Sequence, residues 1–285
     1  MIKLENLNYI YQPGMPGEKH ALEDINIEIA DGEFCAIIGH TGSGKSTLIQ
    51  HLNGLIKPTS GKIIINGTDI VENKGNLKEL RRKVGLVFQY PENQLFEETV
   101  YKDIAFGPKN MGLNDDEIKK RVYDAIKLVH LDEDLLEKSP FDLSGGQKRR
   151  VAIAGVLSMH PEVLILDEPT AGLDPKGRDS LLALLCDLHK NLSMTIILVS
   201  HSMEDVARVA QKIIVMNEGR VFMQGSVSQV FEKGEELVKI GLNVPQITML
   251  VNKLNKMGAK LPKDIYTVKY ASQILSNAMK GHTDV

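Results

Sequence analysis

The chain has 285 residues, 42% hydrophobic and 25% charged, enough for one large domain, or one with a smaller appendage, around a substantial core. A formal net charge of −3 speaks against a broad nucleic-acid-binding surface, and no apolar run approaches the roughly 20 residues needed to cross a bilayer. The opening MIKLENLNYIY lacks a signal peptide's basic start and apolar stretch, and Cys35 and Cys186 lie far apart in apolar contexts, so a cytosolic protein with buried reduced thiols is expected, held at any membrane by another protein.

IKLENLNYIY and ALEDINIEI alternate apolar with polar residues, as half-buried antiparallel strands do. FCAIIG (34–39) is a continuous apolar run, the pattern of a strand covered on both faces of a parallel sheet. It leads into GHTGSGKS (39–46), which fits G-x-x-x-x-G-K-[ST] between a strand and the amphipathic helix KSTLIQHLNGL. Gly39, Gly42 and Gly44 let the backbone turn so that its N–H groups surround phosphate oxygens. A helix starting near Lys45 aims its positive end at the same anion. Lys45 can reach the β and γ phosphates, and the Ser46 hydroxyl can ligate Mg²⁺. His40, Thr41, Ser43 and Thr47 complete the nucleotide-binding run.

GKIIINGTDI returns to the antiparallel layer through the turn signal Asn66-Gly67. KVGLVFQ (83–89) is a second buried strand, and Gln89 at its end can complete the Mg²⁺ shell or position water. YPENQLFEETVYKDIAFGP (90–108) follows, aromatic and acidic, and from Gln89 to about residue 155 the pattern is a helical insert. Asn114 and Glu117 have capping-box spacing, and Ile118, Val122, Ile126 and Val129 share one face. In LSGGQKRR (143–150), Gly145 and Gly146 expose backbone donors ahead of a helix starting near Gln147, a second anion site. Two anion sites for one nucleotide suggest pairing between chains.

VLILDEP (163–169) buries a strand and presents Asp167 at its carboxyl end, where α/β ligands sit and where it can hold Mg²⁺ through the water shell. Glu168 should face the γ-phosphate side and polarise the attacking water. After the helical RDSLLALLCDLHKN, the strand TIILVSH (195–201) ends on His201, which, paired with the loop and Glu168, can contact the γ-phosphate. KIIVMNEGRVFMQG reads as a hairpin around Asn217-Glu218-Gly219. Beyond it, Ile247, Leu250, Val251 and Leu254 form one amphipathic stripe, and Ala271, Ile274, Leu275 and Ala278 another. These elements predict an α/β P-loop NTPase with an antiparallel β layer, a helical insert and a small C-terminal helical appendage.

With the phosphate loop, Gln89, LSGGQ (143–147), VLILDEPTAGLD (163–174) and His201 in place, residues 1–225 resemble the ATPase subunits of ABC transporters. The resemblance implies a head-to-tail dimer with two ATP molecules sandwiched between subunits, each gripped by Ser144, Gly145, Gly146 and Gln147 of the other copy. It implies Glu168 as general base, His201 as γ-phosphate switch, AGLD as the loop crossing the interface, and Tyr11, with Tyr9 as rival, stacked on adenine.

FQYPENQLFEETVYKDIAFGPKNMG closely resembles the energy-coupling-factor transporter ATPases, which import vitamins or transition-metal ions and are similar to the cobalt-importer subunit. The implied partners are a second ATPase subunit (homodimeric or paralogous), a transmembrane coupling subunit whose basic helix meets segment 90–108, and a substrate-binding membrane subunit. The implied location is the cytoplasmic face of the membrane, and GLNVPQITMLVNKLNKMG, in the appendage 226–285, resembles a dimer-contact segment. A soluble ABC-type ATPase of DNA repair or translation is the rival, but the chain carries no long coiled coil and one cassette. A P-loop kinase or GTPase has no place for LSGGQ.

Overall fold

The structure, a computed structural model, describes residues 1–71, 77–262 and 264–280, with side chains as far as 276. Its N-terminal layer is a four-stranded antiparallel sheet. The strands are β1 (Ile2–Tyr11), β2 (Lys19–Ile29), β4 (Ser60–Ile65) and β5 (Thr68–Asp69), in the order β2-β1-β4-β5. Asn66 (φ 51°) and Gly67 (φ 78°) form the β4–β5 turn expected there.

A second sheet runs β10-β9-β3-β8-β7-β6. Parallel pairings join β9 (Lys212–Asn217), β3 (Phe34–Ile38), β8 (Thr195–Val199), β7 (Val163–Asp167) and β6 (Val84–Val87); β10 (Arg220–Ser226) adds an antiparallel edge through the Glu218-Gly219 turn. All five residues of β3 and of β8 are buried, which is why these strands read as unbroken apolar runs.

Alternate residues of this sheet serve two cores. Cys35, Ile37, Ile165, Ile197 and Ile214 face the antiparallel layer, α1 (Lys45–Leu52) and the short α2 (Leu77–Lys83), whose Leu80 joins the same core. Phe34, Leu164, Leu166, Ile196 and Leu198 face helices of the insert and α6 (Pro175–Leu192). The first sheet face is closed by a β layer and the second by helices, so the strand ends remain open for function.

The insert comprises a 3₁₀ turn (Pro91–Gln94), α3 (Val100–Asn110), α4 (Asp115–Leu128) and α5 (Gly145–Leu157). Ile118, Val122, Ile126 and Val129 are all buried, and the Asn114–Glu117 capping box closes in both directions, a feature worth about 1 kcal/mol. α5 begins at Gly145 with Ser144 as its cap, two residues before the expected start. The Ser144 hydroxyl accepts from the Gln147 N–H, and that bond fixes the first turn.

After the hairpin, α8 (Val227–Phe231) and α9 (Gly234–Lys239) pack with α7 (Met203–Val209) on the far end of the second sheet. There Val230, Phe231 and Leu237 meet Ala36, Ile38 and Val215. α10 (Gln246–Lys256) and α11 (Val268–Lys280) share a smaller cluster of Val251, Ile265 and Ala271, against which Ile247 and Ile274 pack. Leu250, expected in the α10 stripe, is exposed, and Ala278 lies outside the described side chains. Cys35 is buried as expected, whereas Cys186 on α6 is only half-buried; both are free thiols. Among the described residues no helix is long and apolar enough to cross a membrane.

Candidate active site

Adjacent strands β3, β8 and β7 end at one edge of the second sheet, and the chain leaves each through a polar loop. β3 delivers residues 39–46, β7 delivers Asp167 and Glu168, and β8 delivers His201; Gln89 follows β6 beside β7. Four segments far apart in sequence thus converge because the strands are parallel and neighbouring.

The 39–46 loop wraps into α1 as its motif requires. Gly44 caps the helix at φ 104°, and a Cβ there would lie 2.7 Å from the Ala21 carbonyl, so both conformation and space call for glycine. At Gly39 a Cβ would sit 2.4 Å from the Met216 carbonyl. Lys45 is buried, with Nζ donating to the carbonyls of Gly39 (2.8 Å) and His40 (2.9 Å). Burial lowers its pKa, and the charges of Glu168 and Asp167 oppose that shift. The Ser43 hydroxyl is buried without a hydrogen-bond partner. The His40 ring bonds to the Thr41 carbonyl and the Asn217 side chain, which ties the loop to β9. Thr41 and Gly42 are exposed at the tip. A buried cation that finds only carbonyls, beside a buried hydroxyl with no hydrogen-bond partner, fits a loop that takes phosphate.

Ser46 Oγ donates to Asp167 Oδ2 at 3.3 Å. Burial raises the pKa of Asp167 and the charge of Glu168 adds to it; the Ser46 bond, Lys45 and His201 pull the other way. Glu168 stands at φ 47°, a left-handed backbone rare for its residue type. Its N–H is fixed to the Val199 carbonyl at 2.9 Å, which keeps the strained residue against β8. Its carboxylate is held from two sides, by Gln89 Nε2 at 3.3 Å and by His201 Nε2 at 2.7 Å. Gln89, Asp167, Glu168, His201 and Ser46 therefore form one contiguous set of side chains.

Tyr11 and Tyr9 sit at the far end of the loop with different surroundings. Tyr9 packs edge-on against the buried His51 ring, 4.7 Å between centroids. Tyr11 packs edge-on against Tyr9, is 37% exposed, and its hydroxyl meets Thr47 Oγ1 at 3.2 Å. Of the two, Tyr11 presents an open ring.

The LSGGQ residues are not drawn into this cluster. Ser144, Gly145 and Gly146 are exposed at the start of α5, and Ser144 and Gln147 close a capping box on their own helix.

Two features carry no local sequence signal. Glu92, expected on the aromatic and acidic surface for another protein, is gripped by Arg149 of α5: Nε to Oε2 at 3.1 Å, Nη2 to Oε1 at 2.7 Å. No local pattern marks a pair 57 residues apart. Gln94 does line a groove of about 360 Å³ beside Phe96, Asp103, Phe106 and Arg81. Phe96 and Phe106 are exposed and meet edge-on at 5.0 Å. Asp103 is 9% exposed; its Oδ1 accepts the Phe96 and Glu97 N–H groups, while its Oδ2 is buried with no partner.

The pattern of the ABC transporter family matches residues 22–171. The energy-coupling factor transporter ATP-binding protein EcfA2 of Clostridium perfringens is 58% identical over 282 residues, covering 99% of each chain. The protein of the same name from Clostridium acetobutylicum is 60% identical, covering 98% of each. Among solved structures, cbiO1 from Clostridium perfringens, part of the ABC transporter complex cbiONQ, superposes with a TM-score of 0.75 at 47% identity, over 88% of this chain and 98% of that one. The ATP-binding cassette MJ0796, a dimer in a post-hydrolysis state with ADP and Pi, does so with a TM-score of 0.71 at 31% identity, over 80% and 99%.

Proposed function

The chain belongs to the ABC transporter ATP-binding family as an ATPase of the energy-coupling-factor type, and from that premise we propose that it powers uptake of vitamins or transition-metal ions, such as cobalt, through a membrane partner. The observation that carries the catalytic part is the convergence of the 39–46 loop with Gln89, Asp167, Glu168 and His201 at one sheet edge.

In this reading the N–H groups of residues 39–46 and the Lys45 ammonium take the β and γ phosphates, relieving the cost of burying Lys45. Ser46, Gln89 and Asp167 would hold Mg²⁺, whose charge would offset that of the phosphate oxygens and favour the ionised form of the Asp167 carboxyl. Glu168 takes a proton from the attacking water; Gln89 and His201 orient its carboxylate, and His201 turns to the γ-phosphate when that group is present. Tyr11 stacks on adenine. Ser144, Gly145, Gly146 and Gln147, at the outward-facing start of α5, close on the ATP held by a second ATPase subunit, identical or paralogous. Residues 1–225 form the ATP-binding domain with the insert at about 90–155. Residues 226–285 form the appendage, whose exposed Met249, Leu250 and Met257 offer a further dimer contact.

The groove beside residues 91–111 receives a basic helix of the transmembrane coupling subunit, with cargo recognised by a separate membrane subunit. The unpartnered Asp103 Oδ2 supports a hydrogen-bond donor from the occupant, set among the groove's own Lys78, Arg81 and Arg82, and the Phe96–Phe106 pair supports an apolar part around it. The chain then works at the cytoplasmic face of the membrane. Affinity purification of the tagged chain from detergent-solubilised membranes should bring down multispanning proteins, and the reconstituted complex should accumulate a vitamin or Co²⁺ only with ATP. Recovery of ribosomes or DNA without any membrane protein would move the chain to the soluble rival class.

A further inference from the structure

Arg149 is 3% exposed, yet its guanidinium makes four hydrogen bonds to two separate segments. On one side it forks onto both oxygens of Glu92, in the 3₁₀ turn that follows Gln89 and leads to the partner groove. On the other, Nη1 donates to the carbonyls of Pro169 (2.7 Å) and Ala171 (2.9 Å), directly after Glu168. The same loop is pinned from its opposite flank. Thr170 Oγ1 donates to Asp205 Oδ2 at 3.0 Å, and the buried Asp205 is held by Arg178 at 2.7 Å. The Ala171 N–H closes back on the Glu168 carbonyl at 3.1 Å.

Glu168 needs such restraint, because its left-handed φ of 47° persists only where neighbours over-determine it. The planar fork of an arginine can supply it, since one edge reads a carboxylate bidentately while the remaining N–H groups take carbonyls at fixed angles. A lysine has one compact ammonium and cannot span both segments in the same way.

We propose that Arg149 is a positioning residue that makes the placement of Glu168 depend on the 91–94 turn, and so carries displacement of the partner-facing segment to the catalytic carboxylate. This rests on the reading of Glu168 as base and of the groove as partner site. Arg149 itself lies outside the reacting atoms: it is in α5, and its hydrogen bonds run to Glu92, Pro169 and Ala171.

The test uses the complete transporter complex in proteoliposomes, with kcat and KM for ATP and cargo transported per ATP measured together. Arg149→Lys should lower kcat about tenfold, a modest share of what sub-ångström misplacement of a reacting group costs, with KM within about twofold. Glu92→Gln, which spares the buried guanidinium, should lower kcat and transport per ATP in the same direction. The two together should be no worse than Arg149→Lys alone, since both act through one strap. In a Glu168→Gln background, Arg149→Lys should leave the residual rate unchanged, which a general structural defect would not do. Parental kcat in Arg149→Lys, or the same fold loss with and without the Glu168 carboxylate, overturns the strap while a slow Glu168→Gln chain leaves the base reading standing. A Glu168→Gln chain at the parental rate removes the base reading, and the strap falls with it.

Discussion

Asp167 and Glu168 are adjacent in sequence, and their backbones answer different demands. Asp167 ends a buried strand, and burial together with its acidic neighbour raises its pKa. A carboxyl whose folded pKa lies above its unfolded value costs stability wherever it is ionised, and that cost fades as pH falls through the folded pKa toward the unfolded one. Without nucleotide, Asp167→Asn should therefore raise the melting temperature at neutral pH, by roughly 2–4 °C per kcal/mol relieved. It should also flatten the acid side of the stability profile and weaken Mg-ATP binding; calorimetry with and without Mg-ATP reads all three. An unchanged or lower melting temperature would mean that Asp167 is well solvated. Glu168 is different, since the role proposed for it lies in proton transfer. Glu168→Gln should keep ATP affinity near parental and lose turnover by about 10² or more. A phosphate-release assay beside a nucleotide-binding titration separates the two quantities, and parental turnover would dismiss Glu168 as base.

At the scale of elements, the insert joins two surfaces with separate roles. α5 begins with the exposed Ser144 cap, while α3 and the 3₁₀ turn before it shape the groove at its side. Asp103 in α3 keeps one oxygen busy with the Phe96 and Glu97 N–H groups and leaves the other unpaired. Asp103→Asn preserves the first acceptor and replaces the unpaired carboxyl oxygen, whose ionised form burial already disfavours, with an amide. It should weaken partner assembly by roughly tenfold to a hundredfold, the range for losing a charge-assisted bond of about 1.5–3 kcal/mol. KM for ATP should not move. Recovery of membrane subunits in affinity purification, compared with ATP titration of the same sample, checks this; undiminished recovery and uptake would place the basic helix elsewhere.

The elements themselves are legible in the sequence where local chemistry fixes them. Buried parallel strands read as apolar runs, the 39–46 loop by its glycines, and α4 by its cap and stripe. The Asp103 acceptor and the Arg149 fork are not legible, because each depends on which distant segments the sheet order brings together. Cys186 reads as buried for a related reason: an apolar helical neighbourhood does not reveal which face meets the core.

Across the whole molecule, the LSGGQ turn stands apart from the cluster of the 39–46 loop and Glu168. One chain carries the 39–46 loop, the proposed Mg²⁺ ligands and the proposed base, and carries its LSGGQ turn exposed and capped on itself. Exposure of Gly145 and Gly146 leaves backbone donors at a helix start facing outward, and the helix dipole favours an anion there. If two cassettes sandwich ATP, blocking hydrolysis should trap the closed pair. The Glu168→Gln chain in Mg-ATP is therefore expected to sediment as a two-cassette particle. It should do so alone if the pair is homodimeric, and only with a paralogous chain added if it is heterodimeric. Ser144→Arg on the same background puts a bulky cation at the closing face. It should abolish the particle while leaving nucleotide binding within a few-fold, because the proposed grip of Ser144 is on the other subunit's ATP. Sedimentation velocity beside a binding titration reads both. Single subunits at saturating Mg-ATP, with and without the second chain, would show that the exposed turn on α5 closes on nothing.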